Sequence, residues 1–324
     1  MKAVGLFRKA YARPSSVLTV FCWLIVVFLS ATGYGELTPA EQLILEVSLT
    51  APRVCIRTCE PIALDMQVRN AGATHAEFDG DISSWASNFD IHVSPPEGQQ
   101  YRYRSRVSGG YMTPRPPIVL SPGEVFVHRE ILWVSGYAPG GYMFSTPGEY
   151  QVEVRYEPRE GAVYRPKPLT ISVTEPQGRE AEALELWKQE KFWFLSGMSP
   201  TPVTERLRVE YGDTVYGHYA RFCFADPSYT RPTEEFSVDW SREKVQEWAD
   251  APFDESVRRY TSLLEDAPAF PLADECMLNL AKAYSSLRRK AEAAQVLQDL
   301  LEDFPNTAAA REAEALLPKL QTAE

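Results

Sequence analysis

The sequence predicts a multidomain fold of two classes in tandem, all-β and then all-α. An antiparallel β-sandwich is expected over residues 36–175 and a short α-helical repeat domain over 176–324, behind a targeting segment at 1–35. Three observations carry this expectation. Runs with a hydrophobic period of two, separated by Pro-Gly turns, fill the first half. Composition shifts to helix formers after Thr174–Gly178. A paired-helix pattern then recurs at a spacing of 37 residues.

The first 35 residues hold Lys2, Arg8, Lys9 and Arg13 and no acid, followed by the largely apolar run Val17–Leu29 and then small residues at Ser30, Ala31, Thr32 and Gly33. An apolar core of 13 residues suits a signal peptide better than a membrane span, with cleavage expected near Gly33 or Gly35. The alternative is an uncleaved anchor, which would be the protein's sole link to a membrane. Net charge is -11, and without the four N-terminal cations 29 basic residues face 44 acidic ones. That balance disfavours nucleic acid as a partner, because phosphates call for Lys/Arg patches.

Along the β region, Ile62, Leu64, Met66 and Val68 alternate with Ala63, Asp65, Gln67 and Arg69, which predicts a strand with one buried face. Phe89, Ile91 and Val93 repeat the pattern, as do Tyr150, Val152, Val154 and Tyr156, and finally Leu169, Ile171 and Val173. Ser121–Glu124 and Thr146–Glu149 each place Pro second and Gly third, the requirements of a type II turn. Pro147–Tyr156 reads P-G-x-Y-x-V-x-V-x-Y and resembles the penultimate strand of bacterial immunoglobulin-like modules. The long segments 71–88, 107–117 and 136–145 are where such a module would place binding loops. Tyr101, Tyr103, Tyr111, Tyr137 and Tyr142 read either as a recognition surface or as sheet packing.

In the helical region Thr201-Pro202 reads as an N-cap with Pro at the first helical position. Residues 274–306 form a helix–turn–helix unit in which Met277, Leu280, Ala281 and Tyr284 pack the first helix and Ala293, Leu297 and Leu300 the second, closed by Pro305. Ser262–Pro268 returns as Asp299–Pro305, so Cys276 corresponds to Ala313. A degenerate copy, Glu210–Thr214, aligns with Asp303–Thr307 and places Ala220 at the same position. An insertion at 226–250 carries Trp240 and Trp248, expected to plug the stack. The unit at 274–306 resembles a tetratricopeptide repeat, as found in bacterial cell-envelope proteins. The resemblance implies a protein partner held on the surface formed by first helices, lined by Glu275, Leu278, Lys282 and Ser285; the alternative is that these helices pack on the sandwich or on each other.

Export would put Cys55, Cys59, Cys223 and Cys276 in an oxidising compartment. One bridge per domain, Cys55–Cys59 and Cys223–Cys276, is the favoured pairing, with free buried thiols the alternative. No catalytic, cofactor or metal signature stands out. His75, His92, His128 and His218 lack metalloprotease spacing, and no nucleophile-elbow, phosphate-loop or dinucleotide motif occurs. His75, Glu77, Asp79 and Asp81 alternate as calcium ligands could, but equally as the wet face of an edge strand. The Arg-Arg pairs at 258–259 and 288–289 read as solvated helix faces paired with acids. The expectation is an exported, non-enzymatic interaction or adaptor protein of the cell envelope, periplasmic or at the cell surface. Its rivals are a secreted protease inhibitor acting through a sandwich loop and a hydrolase without a recognisable motif.

Overall fold

The computed structural model describes residues 43–80, 82, 88–104, 116–189, 201–227 and 242–321, with the side chains of 139 and 242–249 set aside. The targeting segment, Tyr111, most of the 107–117 loop, Asp81 and Trp240 lie outside these, as does the Trp248 side chain.

Ten strands precede seven helices among the described residues. The strands are β1 (Leu45–Thr50), β2 (Cys55–Arg57), β3 (Ile62–Asn70), β4 (Ala76–Phe78), β5 (Phe89–Ser94), β6 (Tyr101–Tyr103), β7 (Ile118–Leu120), β8 (Val125–Leu132), β9 (Gly148–Tyr156) and β10 (Leu169–Thr174). They form a three-stranded sheet β1-β3-β8, a five-stranded sheet β2-β10-β9-β5-β6 and the pair β4-β7. The expected antiparallel arrangement is corrected at one edge. β2 runs parallel to β10, with Ser172 opposite Cys55. The remaining ladders are antiparallel.

The two larger sheets meet through the faces bearing Leu64, Met66, Phe89, Ile91 and Val93, all buried, and Phe89 packs edge-on against His128 of β8 at 5.6 Å. The expectation of one buried face on β3 fails at its start, where Ala63 and Asp65 on the opposite face are buried too. The helices cover that side, so the three-stranded sheet is a middle layer. Gly123 has φ 80, as its turn demands. Gly148 differs, with φ 132, and a Cβ there would lie 2.5 Å from Pro96 Cγ, so close approach rather than a type II turn requires glycine.

The helices are α1 (Arg179–Trp187), α2 (Pro202–Glu210), α3 (Val215–Phe224), α4 (Arg242–Asp266), α5 (Ala273–Ser286), α6 (Lys290–Asp303) and α7 (Ala308–Gln321). Thr201 caps α2 in a capping box with Thr204. Thr214 caps α3 by accepting from the Gly217 amide at 3.1 Å, and Thr307 does the same for α7 from Ala310 at 3.2 Å. Each helix from α2 to α7 packs on its sequence neighbour, and α5 also on α7. Ala220, Cys276 and Ala313, aligned by the sequence repeat, sit in α3, α5 and α7 with 0% exposure each. First helices α3, α5 and α7 thus alternate with second helices α4 and α6. Ala281 and Ala293, buried between α5 and α6, permit their close crossing. No described helix is long and apolar enough to cross a membrane.

Candidate functional site

The face of the first helices, where a repeat of this kind would hold a partner, is partly covered by the chain's own β region, at α3 and the first turn of α5. Residues Ile44–Glu324 form one compact unit, and a single hydrophobic cluster runs from Cys59, Ala63, Trp133 and Tyr142 into α1, α3, α4 and α5. Trp187, at the end of α1, is its centre. Its ring lies 4.9 Å from that of Trp133, its indole N–H donates to the Cys59 carbonyl at 3.0 Å, and its own carbonyl accepts from Tyr142 Oη at 3.0 Å. On α3, Tyr216 Oη donates to the Thr58 carbonyl at 2.6 Å and Tyr219 Oη to the Pro61 carbonyl at 3.0 Å. The tyrosines of one helix thereby satisfy the carbonyls of the β2–β3 turn, which the packing has removed from water.

The ionic part of this seam centres on Arg129 of β8. Arg129 sits opposite Asp65 in the β3–β8 ladder and bonds it with Nε and Nη2 at 2.7 and 2.6 Å. Its Nη1 reaches Asp274 at 2.7 Å and Glu275 at 3.3 Å in the first turn of α5. Burial alone would lower the Arg129 pKa, but the hydrogen bonds to Asp65 and the surrounding carboxylates hold it above the ordinary value. Burial pushes the carboxyls of Asp65 and Glu275 up, against the opposing pull of Arg129. The cation stays charged because its carboxylate partners outweigh its burial, and the two carboxyls rise because their burial outweighs Arg129.

Glu275, expected to face a partner, is therefore engaged by the sheet. Leu278 is 2% exposed and packs with Leu297, Leu300 and Ala313 between the helices, so it lines no surface. Lys282 and Ser285, further along α5, remain exposed, and Lys282 pairs with Glu312 of α7 at 2.8 Å. Sequence reading missed Arg129, and it did not foresee the bonds that Trp187, Tyr216 and Tyr219 make to the β region. A charged residue within an apolar strand run was the available signal for Arg129. Of the predicted binding loops, 136–145 is corrected as well, because Tyr142, Met143 and Phe144 are core residues. Tyr103 is buried with its hydroxyl on the Ile131 carbonyl at 2.8 Å, while Tyr137 is exposed.

The two predicted disulfides are absent. Cys55, Cys59, Cys223 and Cys276 are all free, Cys55 exposed on β2 and the other three buried. Cys59 turns into the core with φ 60, away from the exposed Cys55 side chain, and burial pushes its thiol pKa up to about 12. Cys276 instead directs its Sγ at the Tyr260 carbonyl, 3.8 Å away. Buried apolar surroundings raise both Cys223 and Cys276, which disfavours the reactive thiolate. Glu77 and Asp79 line an open cavity with Asn88, Glu157 and Glu160. Among the described residues no group of three or more His, Cys, Asp or Glu side chains is placed to hold a metal. Burial and the neighbouring Arg221 lower the His218 pKa.

A tetratricopeptide repeat family model matches residues 275–307, the α5–α6 pair. The chain contains a tetratricopeptide repeat. The repeat's first helix is the one whose N-terminal turn meets Arg129. No curated protein matches the chain. Among solved structures, parts of the chain are similar to a β-glucosidase from Erythrobacter marinus at 18% identity, covering 40% of this chain and 15% of that one with TM-score 0.26. A second is the sporulation control protein Spo0M from Bacillus subtilis, at 12% identity over 45% of this chain and 55% of that one with TM-score 0.26. A third is the alkylpurine DNA glycosylase AlkC from Pseudomonas fluorescens bound to DNA, at 12% identity over 40% and 30% with TM-score 0.25. The chain thus spans less than two thirds of each of these proteins, and likenesses this low carry no argument about its fold or activity.

Proposed function

We propose that this is an exported, non-enzymatic protein–protein interaction or adaptor protein of the cell envelope, in which an immunoglobulin-like β region supports a short tetratricopeptide array. The observation that carries the reading is the repeat at 275–307, a unit whose stacked helices build binding surfaces rather than reaction centres. Export is supported by the cationic start and the apolar run Val17–Leu29. The immunoglobulin-like assignment draws support from the three- and five-stranded sheets and from the Pro147–Tyr156 strand motif. Because the chain's own sheet engages the N-terminal turn of α5, the accessible part of the repeat is its C-terminal half, around Lys282 and Ser285. The test is a photo-crosslinking residue placed at Ser285 or, as a comparison, at exposed Gln298 of α6, in intact envelopes. A discrete protein adduct at Ser285 and none at Gln298 is the expected result. Adducts at neither position, or the same adducts at both, would sink the reading.

A further inference from the structure

A second arginine cluster lies outside the matched repeat. Arg208 of α2, Arg221 of α3, and Arg258 and Arg259 of α4 line one cavity of about 190 Å³, together with Ser262 and Glu255. Each guanidinium is anchored by a neighbour. Arg208 bonds Glu205 with Nε at 2.9 Å and Nη2 at 2.6 Å and stacks 5.2 Å from the centre of the Phe224 ring. Arg221 donates Nη2 to Ser262 Oγ at 3.0 Å and pairs with Asp266. Arg259 bonds Glu255 through Nε at 2.6 Å and the Phe224 carbonyl through Nη1. Arg258 pairs with Glu255 through Nη2.

These contacts leave donors unspent. A guanidinium carries five N–H groups in a rigid fork. Among the described residues Arg208 Nη1, Arg259 Nη2, and Arg258 Nε and Nη1 have no partner. Among the described residues the four arginines pair with three carboxylates, Glu205, Glu255 and Asp266, an excess of one cation in a chain whose net charge is -11. Glu255 is the single carboxylate lining the cavity, and two arginines neutralise it. Arg208, Arg221 and Arg259 are part-buried and held in place, while Arg258 is largely exposed at the rim; guanidiniums so placed on three helices suit oxygen anions, which they bind with short, charge-assisted hydrogen bonds.

We propose that this cavity is an oxyanion-binding site, sized for one phosphate or carboxylate group. It stands on its own residues and does not depend on the partner of the repeat. The anion has two sources that the test separates, free phosphate and the acidic side chains of a peptide.

The experiment is isothermal titration calorimetry of the full chain at low salt, with inorganic phosphate in one arm and an end-blocked hexaglutamate peptide in the other. Saturable one-to-one binding is expected in at least one arm. Arg258→Gln and Arg259→Gln should each weaken it by on the order of tenfold, the loss of one charge-assisted contact. Glu255→Gln should tighten it, because it removes the negative charge that lines the cavity and repels an anion. Arg311→Gln on α7 should leave it unchanged. Because Arg258 is largely exposed, its variant reports on binding even if Arg259→Gln disturbs the helix packing. Heat in the phosphate arm alone assigns a phosphate ligand, and heat in the peptide arm alone assigns a carboxylate; either supports the site when the arginine variants weaken it. No saturable binding in both arms, or affinities that Arg258→Gln leaves at the wild-type value, overturns the proposal.

Discussion

The seam around Arg129 and the cavity around Arg258 are both arginine–carboxylate clusters, yet they differ in every property that decides what such a cluster does. The Arg129 side chain is 6% exposed and is outnumbered by Asp65, Asp274 and Glu275. The Arg258 side chain is 76% exposed, in a cluster where cations outnumber anions. A buried charge without a partner is expensive, so the first cluster ties two parts of the chain together. An exposed pair contributes little to folding, which leaves the second cluster free to meet a ligand.

The largest test of this contrast is Arg129→Ala. It strands three carboxylates in the seam and is expected to lower unfolding free energy by about 3–5 kcal/mol, read by chemical denaturation. A loss below about 1 kcal/mol would mean that the seam is held by its apolar part alone. Next comes Tyr216→Phe, which leaves the buried Thr58 carbonyl without its donor. A cost of about 1–2 kcal/mol is expected by the same measurement, and a neutral effect would show that water reaches the turn. At the other pole, Arg258→Gln should change stability by less than about 0.5 kcal/mol, and a larger loss would make its cluster structural too.

The smallest expected effect sharpens the electrostatics. Burial raises the folded pKa of Glu275 above 4.5, so between 4.5 and that raised value the folded state holds more protons than the unfolded one. The associated stability is fully present below 4.5 and is lost as pH rises through the folded pKa. Glu275→Gln removes this titration. The stability of wild type relative to the variant should therefore fall as pH increases across that window, in denaturation curves taken at a series of pH values. A constant difference would show that Glu275 is solvated.

What could be read from sequence follows the range of the interactions involved. The strands holding Ile62–Val68, Phe89–Val93, Tyr150–Tyr156 and Leu169–Val173 were legible because alternation is set by residues two apart. The α5–α6 pair and the cap at Thr201 were legible because helix spacing and capping act over three or four residues. The seam was not legible. Arg129 meets Asp65 across 64 residues, Trp187 meets Cys59 across 128 and Tyr216 meets Thr58 across 158. Leu278 shows the same limit within the repeat: its position on α5 was readable, but whether that face met solvent or α6 and α7 depended on packing.

By itself, then, the sequence determined that a β region precedes a helical one, four of the strands, the register of the repeated helices, and the small residues at Ala220, Cys276 and Ala313 that let them stack. Periodicity, turn chemistry and capping are local, and each is written in residues a few positions apart. Tertiary structure alone decided that the β and helical parts share a core, that β2 joins its sheet in parallel, that the cysteines stay free, and that Asp65 and Glu275 serve the seam rather than solvent. Those outcomes depend on which faces remain to be buried once the local elements exist, and a hydrophobic or charged face carries no record in sequence of what will cover it.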